Sequence, residues 1–328
     1  MEELLKLLGR AQRDVADDVA RDRYRGALLG LACGNALGLQ VEGVPADEIR
    51  RHLPRGVRDI DPREAARDWD DDVAQAIELG ECLLPGPLDA DAYVGRLIEW
   101  MEASGRGIGR QTWEVLQKAK AGAEGTAAAW AVWEASGRYR AGNGAVMRCA
   151  PVALRWRRRP QRLVKDAVES ARATHYDPRC VWTTVAVCAA VALELAGAEW
   201  TLEELAAALE DAEAPPEVIV AVELSGSPEI AALDLDEWES MGYTIRAMTA
   251  GLWAAAHAEG FEPNLLTVIN AGGDTDTNGA VAGAVLGARF GVAAVPSRWS
   301  ERLPNPWELD GLADRLLAAA TDQNLPPG

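Results

Sequence analysis

Apolar residues recur at i, i+3 and i+4 along almost the whole chain, and this helical period constrains the fold more than any other feature. It is carried by Ala-, Leu- and Glu-rich runs such as DDVAQAIELGECLL, DAYVGRLIEWMEAS, PRCVWTTVAVCAAVALELAG, TLEELAAALEDA and TIRAMTAGLWAAAHAEG. Alternating strand patterns are nearly absent, so the expected class is all-α. Breaks at Pro85 to Pro87, Pro215-Pro216 and Pro304 to Pro306 are frequent but short, and no low-complexity stretch marks a domain boundary. The expected organisation is a charged leading helix over residues 1–20 and one helical domain over residues 21–328.

Two of the helical runs, RGALLGLACGNALG and NGAVAGAVLGARFG, are crowded with glycine. Each glycine costs a helix about 1 kcal/mol relative to alanine. Its repeated use points either to backbones packed closely together or to a ligand lying against the backbone.

Composition narrows the function. The net charge is -18, from 33 basic and 51 acidic residues, which repels phosphate backbones and anionic lipid. Neither nucleic acid nor membrane is therefore an expected partner. The amino-terminal segment is charged throughout, and no run is read as reaching the roughly 18 apolar residues of a membrane span. The five cysteines form no CxxC and sit among apolar or small residues, as buried reduced thiols would. A cytoplasmic monomer is expected. There is no phosphate-loop GxxxxGK[ST], no HExxH and no GxSxG, and three scattered histidines are too few for a histidine-rich metal site.

Two acidic clusters remain. Asp68-Trp69-Asp70-Asp71-Asp72 precedes a helix expected over Val73 to Leu84, and Gly272-Gly273-Asp274-Thr275-Asp276-Thr277 precedes one expected over Asn278 to Phe290. The plainer explanation of each is helix capping, since Asp and Thr satisfy free N–H groups and carboxylates complement the helix dipole. One Asp would serve for that, however, and three adjacent carboxylates repel unless a cation or proton intervenes. Two such clusters facing each other would make an oxygen-only site for Mg²⁺, Mn²⁺ or Ca²⁺. The EF-hand spacing is absent. A third element, Gly142-Asn143-Gly144-Ala145-Val146-Met147-Arg148, is a glycine turn whose backbone N–H groups suit a phosphate or diphosphate, although GNG alone usually means only a turn.

Taken in order, these blocks resemble the ADP-ribosylglycohydrolase family over about Arg23 to Leu317. YRGALLGLACGNALGLQVEG is similar to the family's opening GALLGxAxGDALGxxxE, and WDDDVAQAIELGECLL to its W[ST]DDTxMxLxxAExLL. GIGRQT, GNGAVMRCAPVAL and THYDP follow, and NAGGDTDTNGAVAGAVLGARFG is similar to NxGGDxDTxGAxxGAxxGAxxG. The resemblance implies a single-domain orthogonal helical bundle with a two-ion Mg²⁺ or Mn²⁺ site. It also implies hydrolysis of the glycosidic bond at C1 of an ADP-ribosyl group, on a protein or on a small metabolite. A non-catalytic ADP-ribose binder on the same fold is the alternative. The implied metal ligands are Asp70, Asp71, Asp72, Asp274, Asp276 and Thr277. Asp71, Asp276 and Glu42 are the implied catalytic carboxylates, with the general base left open among them. Gly142, Asn143, Gly144, Met147, Arg148, His175 and Asn35 are the implied substrate residues, His175 on the adenosine side. This chain departs from the family pattern at Asp70, where Ser or Thr is usual, at Val73, where Thr is usual, and at Asn35, where GDALG has Asp. A carboxylate in place of a hydroxyl adds charge at the ion site.

Overall fold

The computed structural model describes residues 1–321; residues 322–328, to which the expected domain extends, lie outside the described residues. The helices run α1 (Glu2–Gly9), α2 (Asp17–Gly38), α3 (Ala46–His52), α4 (Asp71–Leu83), α5 (Ala90–Ala103), α6 (Arg110–Lys120), α7 (Gly125–Ala135), α8 (Ala150–Trp156) and α9 (Pro160–Arg172). They continue as α10 (Pro178–Ala196), α11 (Leu202–Asp211), α12 (Pro216–Leu224), α13 (Thr244–Ala256), α14 (Phe261–Ile269), α15 (Thr275–Phe290), α16 (Ser297–Ser300) and α17 (Pro306–Thr321). Among the described residues the only strands are β1 (Val44–Pro45) and β2 (Gly272–Gly273), paired antiparallel with Val44 opposite Gly273. The fold is all-α, as the period predicts.

The two glycine-rich helices, α2 and α15, are antiparallel partners at the centre. A Cβ on Gly30 would stand 2.2 Å from the Gly283 carbonyl oxygen, one on Gly34 1.9 Å from that of Gly279, and one on Gly287 1.9 Å from that of Gly26. Only a hydrogen fits in such gaps, so packing explains the glycines of this seam. At its end the Thr275 hydroxyl donates to the Gly38 carbonyl at 2.8 Å. The seam thereby sets where α15 begins relative to where α2 stops, and both ends belong to the site described below.

The leading segment differs from the expected single charged helix. Its α-helix ends at Gly9, a 3-10 turn covers Arg10–Gln12, and α2 already begins at Asp17. Leu4, Leu7 and Leu8, at i, i+3 and i+4, are buried, and α1 packs on α9, α10 and α11. The membrane expectation also needs correcting. Pro178–Ala196 is long and apolar enough to cross a membrane, but 89% of that window is buried inside the protein, where α10 packs on α8, α9, α13 and α15. All five cysteines are free thiols; Cys33, Cys149, Cys180 and Cys188 are buried, whereas Cys82 is half-buried.

Candidate functional site

Both acidic helix starts lie earlier than expected, α4 by two residues and α15 by three. Asp70 is the N-cap of α4, so Asp71 and Asp72 occupy its first turn, and Asp274 is the N-cap of α15, followed by Thr275, Asp276 and Thr277. Carboxylates in a first turn complement the helix dipole, which is why the helices run through them. Yet neither Asp70 nor Asp274 makes a side-chain capping hydrogen bond. Their oxygens are used elsewhere, and capping does not account for the clusters.

The clusters converge. Asp70, Asp72 and Asp276 are all buried, and each offers a carboxylate oxygen within 4.8 Å of the other two. Both oxygens of Asp72 and Oδ1 of Asp276 have no hydrogen-bond partner. Burial, followed by the neighbouring carboxylates, pushes the Asp71, Asp72 and Asp276 carboxyls well above the usual range. Unpartnered buried oxygens of this kind are costly unless something positive meets them. The donor set is hard oxygen only, so the residues fit a divalent cation of the Mg²⁺ or Mn²⁺ type.

Each carboxylate is held differently. Asp70 lies between Asn35, whose Nδ2 donates to Oδ2 at 3.3 Å, and Arg106, whose Nε is 3.4 Å from Oδ1. Arg106 also binds Glu64 at 2.9 Å, which makes it a bridge between two acids. Burial raises the Asp70 carboxyl, and Arg106 and Asn35 oppose that rise. Asp71 accepts from Gln75 Nε2 at 3.3 Å, one turn further along α4. The loop at Gly107, with φ of +79°, passes so close that a Cβ there would be 2.7 Å from both Asp70 Oδ1 and Asp71 Oδ1. Asp274 Oδ2 accepts from Asn143 Nδ2 at 2.8 Å. Thr277 is buried on the turn that carries Asp276, next to Asp72.

The two-residue strand pair brings in Glu42. Gly43 N–H donates to the Gly273 carbonyl at 2.8 Å, so the segment after α2 is tied to the residue before Asp274. Glu42 is exposed at this mouth. Partial burial of its carboxyl, then the charges of Asp274 and Asp70, raise its pKa from the ordinary value. The glycine turn is tied in the same way: Asn143 N–H donates to the Gly242 carbonyl, and Gly142 bridges to Tyr243. Beside it opens a cavity of about 500 Å³ lined by Gln111, Arg140, Gly142, Arg179, Gly242 and Tyr243.

Asn35, Glu42, Asp70, Asp71, Asp72, Asn143, Asp274, Asp276 and Thr277 are thus brought together. Gly142 and Gly144 lie against the ring of buried His175. Met147 is buried, and Arg148 is fully buried with its guanidinium on Gln75 and Thr174, reaching the carboxylates only through Gln75. Arg106, Glu64, Gln75 and Thr174 were not singled out from the sequence. Gln75 carried a signal, four residues after Asp71 on a helix; Arg106 carried none. A larger cavity of about 650 Å³ lies at the far end of α15, near Arg23, Glu194, Trp200 and Arg289. Its buried carboxylate, Glu194, is already bound by Trp200 and Arg289.

The sequence profile of the family described as ADP-ribosylglycohydrolase matches residues 16–326. The chain belongs to the ADP-ribosylglycohydrolase family. Among its relatives in that family is the ADP-ribosylarginine hydrolase Tri1 of Pseudomonas putida, 30% identical over 92% of this chain and 79% of the relative. The ADP-ribosyl-[dinitrogen reductase] glycohydrolase of Rhodospirillum rubrum is 28% identical over 91% of this chain and 97% of its own. A solved structure titled as an ADP-ribosylglycohydrolase-related protein complex superposes with a TM-score of 0.71 at 30% identity, covering 93% of this chain and 100% of that one. The all-α fold is that of the family.

Proposed function

We propose that this chain is a divalent-metal-dependent hydrolase of the glycosidic bond at C1 of an ADP-ribosyl group, carried by a protein side chain or by a small metabolite. The observation that carries the proposal is the buried triad Asp70, Asp72 and Asp276, with oxygens within 4.8 Å of one another and those of Asp72 unpartnered. Asp70, Asp71, Asp72, Asp274, Asp276 and Thr277 are the residues that would hold the ions, two Mg²⁺ or Mn²⁺ in this reading. Such ions supply Lewis-acid polarisation and lower the pKa of water.

The remaining steps belong to the chain's own groups. Glu42, at the mouth and with a raised pKa, takes or gives a proton at its carboxyl near the reacting bond. Negative carboxylates flanking C1 favour the oxocarbenium-like transition state of glycoside cleavage. With the Asn143 N–H taken by the Gly242 carbonyl, Gly142 and Gly144 are the residues of this turn whose backbone N–H groups would meet the diphosphate, and the adjoining cavity receives the nucleoside end. The likeness to an ADP-ribosylarginine hydrolase supports arginine as one acceptor.

The test is incubation with ADP-ribosyl-arginine, ADP-ribosyl-serine and free ribosylated metabolites, with Mg²⁺ or Mn²⁺, following ADP-ribose release. Release that disappears with chelator and in Asp276→Asn is the expected result. ADP-ribose binding without release from any substrate would instead favour the non-catalytic binder.

A further inference from the structure

We infer that Arg148 and Thr174 lock His175 as a neutral imidazole with its proton on Nε2, making it a fixed hydrogen-bond donor toward the Gly142 to Gly144 turn. The argument is one of donors and acceptors along a buried chain. Arg148 is fully buried, and a guanidinium only donates. One of its nitrogens, Nη1, donates to Gln75 Oε1, which leaves the Gln75 amide nitrogen to face Asp71 Oδ2 at 3.3 Å. The other, Nη2, donates to Thr174 Oγ1 at 2.6 Å. A hydroxyl has one hydrogen. Of the two partners of Thr174 Oγ1, only His175 Nδ1, 2.8 Å away, has a lone pair to offer, so the buried hydroxyl places its hydrogen there rather than leave it unpaired. Nδ1 must then present its lone pair. A second proton there would set an N–H against the O–H.

Burial, then the charge of Arg148, also pushes the His175 pKa down to about 3, so the ring stays neutral at ordinary pH. The single proton is left for Nε2. That nitrogen looks into the glycine turn: a Cβ on Gly144 would be 3.1 Å from Nε2 and 2.7 Å from Cε1, and one on Gly142 3.5 Å from Nε2. Arg148 and Thr174 are positioning residues in this arrangement, and Gln75 links the same guanidinium to the carboxylates. The tautomer stands on the hydrogen-bond chain alone; its use toward a ligand oxygen rests on the ADP-ribose reading.

The experiment is long-range proton–nitrogen correlation on full-length protein labelled with ¹⁵N-histidine, with His175→Gln to assign the signal among three histidines. The expected His175 pattern has a pyrrole-type Nε2 and a pyridine-type Nδ1, unchanged from about pH 8 to about pH 5. Thr174→Val removes the donor to Nδ1 and is expected to mix the tautomers, while Thr174→Ser restores one. Titration with ADP-ribose is expected to show about tenfold weaker binding in Thr174→Val, the scale of one hydrogen bond, with Ser recovering it. Should Thr174→Val not fold, Thr174→Ser and the wild-type spectrum still decide. A proton on Nδ1, an imidazolium, or an unchanged pattern in folded Thr174→Val overturns the inference even if ADP-ribose binds. The expected tautomer without any ADP-ribose binding leaves the lock standing and overturns the donor role together with the functional reading.

Discussion

The helices α2 and α15 meet twice, on opposite physical terms. Along their length they touch backbone to backbone through Gly30, Gly34, Gly279, Gly283 and their neighbours, with no space for a methyl group. At one end the same pair opens onto Asn35, Glu42, Asp274 and Asp276, where buried carboxylates crowd and Asp72 and Asp276 keep unpartnered oxygens. One region is over-determined by packing; the other is under-compensated in charge. The first makes the second tolerable, because repelling groups hold their positions only on a frame that does not yield.

The largest effect is expected from breaking the packed side. Gly34→Val places branched carbon where a single Cβ already stands 1.9 Å from a carbonyl oxygen, and is expected to cost about 3 kcal/mol or more, read as a collapsed melting temperature. Gly95→Ala, on the exposed face of α5 with nothing within 4 Å, sharpens the point by acting in the opposite direction, stabilising by up to about 1 kcal/mol.

The charged side is expected to respond to cations instead. Mn²⁺ at a hundred times its Kd should stabilise the wild type by about 2.7 kcal/mol, and Asp276→Asn should remove most of that gain. Equal melting curves with and without the ion in the wild type would remove the ion site altogether.

A smaller effect is expected from pH. In the ion-free protein the raised Asp71, Asp72 and Asp276 carboxyls hold protons that the unfolded chain has already lost. Stability should therefore fall as pH rises through their folded values, and grow as pH falls toward the ordinary carboxylate range. Saturating Mn²⁺ displaces those protons and should abolish the trend. His175 contributes the other sign, its depressed pKa costing stability below its ordinary value. Melting with chelator and with Mn²⁺ at each pH cancels that contribution.

The smallest expected change is Asp70→Thr. It exchanges a charged ligand for a neutral one, which should weaken Mn²⁺ binding about tenfold by calorimetry. It also leaves Arg106 to Glu64 alone. Identical affinities would mean that Asp70 serves only Arg106 and Asn35.

Much of this was legible in the chain. The helical period gave the class, and the glycine runs pointed to close backbones or a ligand against them, of which the α2–α15 seam shows the first. The carboxylate clusters stood out because capping needs one Asp, and in the fold neither N-cap carboxylate makes a capping bond. What stayed hidden depends on distance along the chain. Arg106 meets Asp70 from a loop after α5, and Thr174 meets Arg148 from the turn before α10; no local pattern marks either pairing. Gln75 was within reach, since i and i+4 on a helix share a face. In the leading segment the many charges mask the three leucines that bury it.

The glycine seam also has a translational ambiguity. Glycines at Gly26, Gly30, Gly34 and Gly38 face Gly287, Gly283, Gly279 and Thr275 at four-residue intervals. A slip of one four-residue interval, about 6 Å, again sets glycine against glycine over most of the contact. The stripe permits intimacy without naming its own alignment. Contacts at its ends help to supply it: the Thr275 hydroxyl on the Gly38 carbonyl, and Asp22 accepting from Ala293 N–H beyond Gly291, together with the packing of α15 on α13 and α14. A slipped pairing would carry Asp276 a full turn away from Asp72. Polar atoms at the margins of the two stripes thus help to fix their alignment, and one of those margins is the mouth of the candidate site.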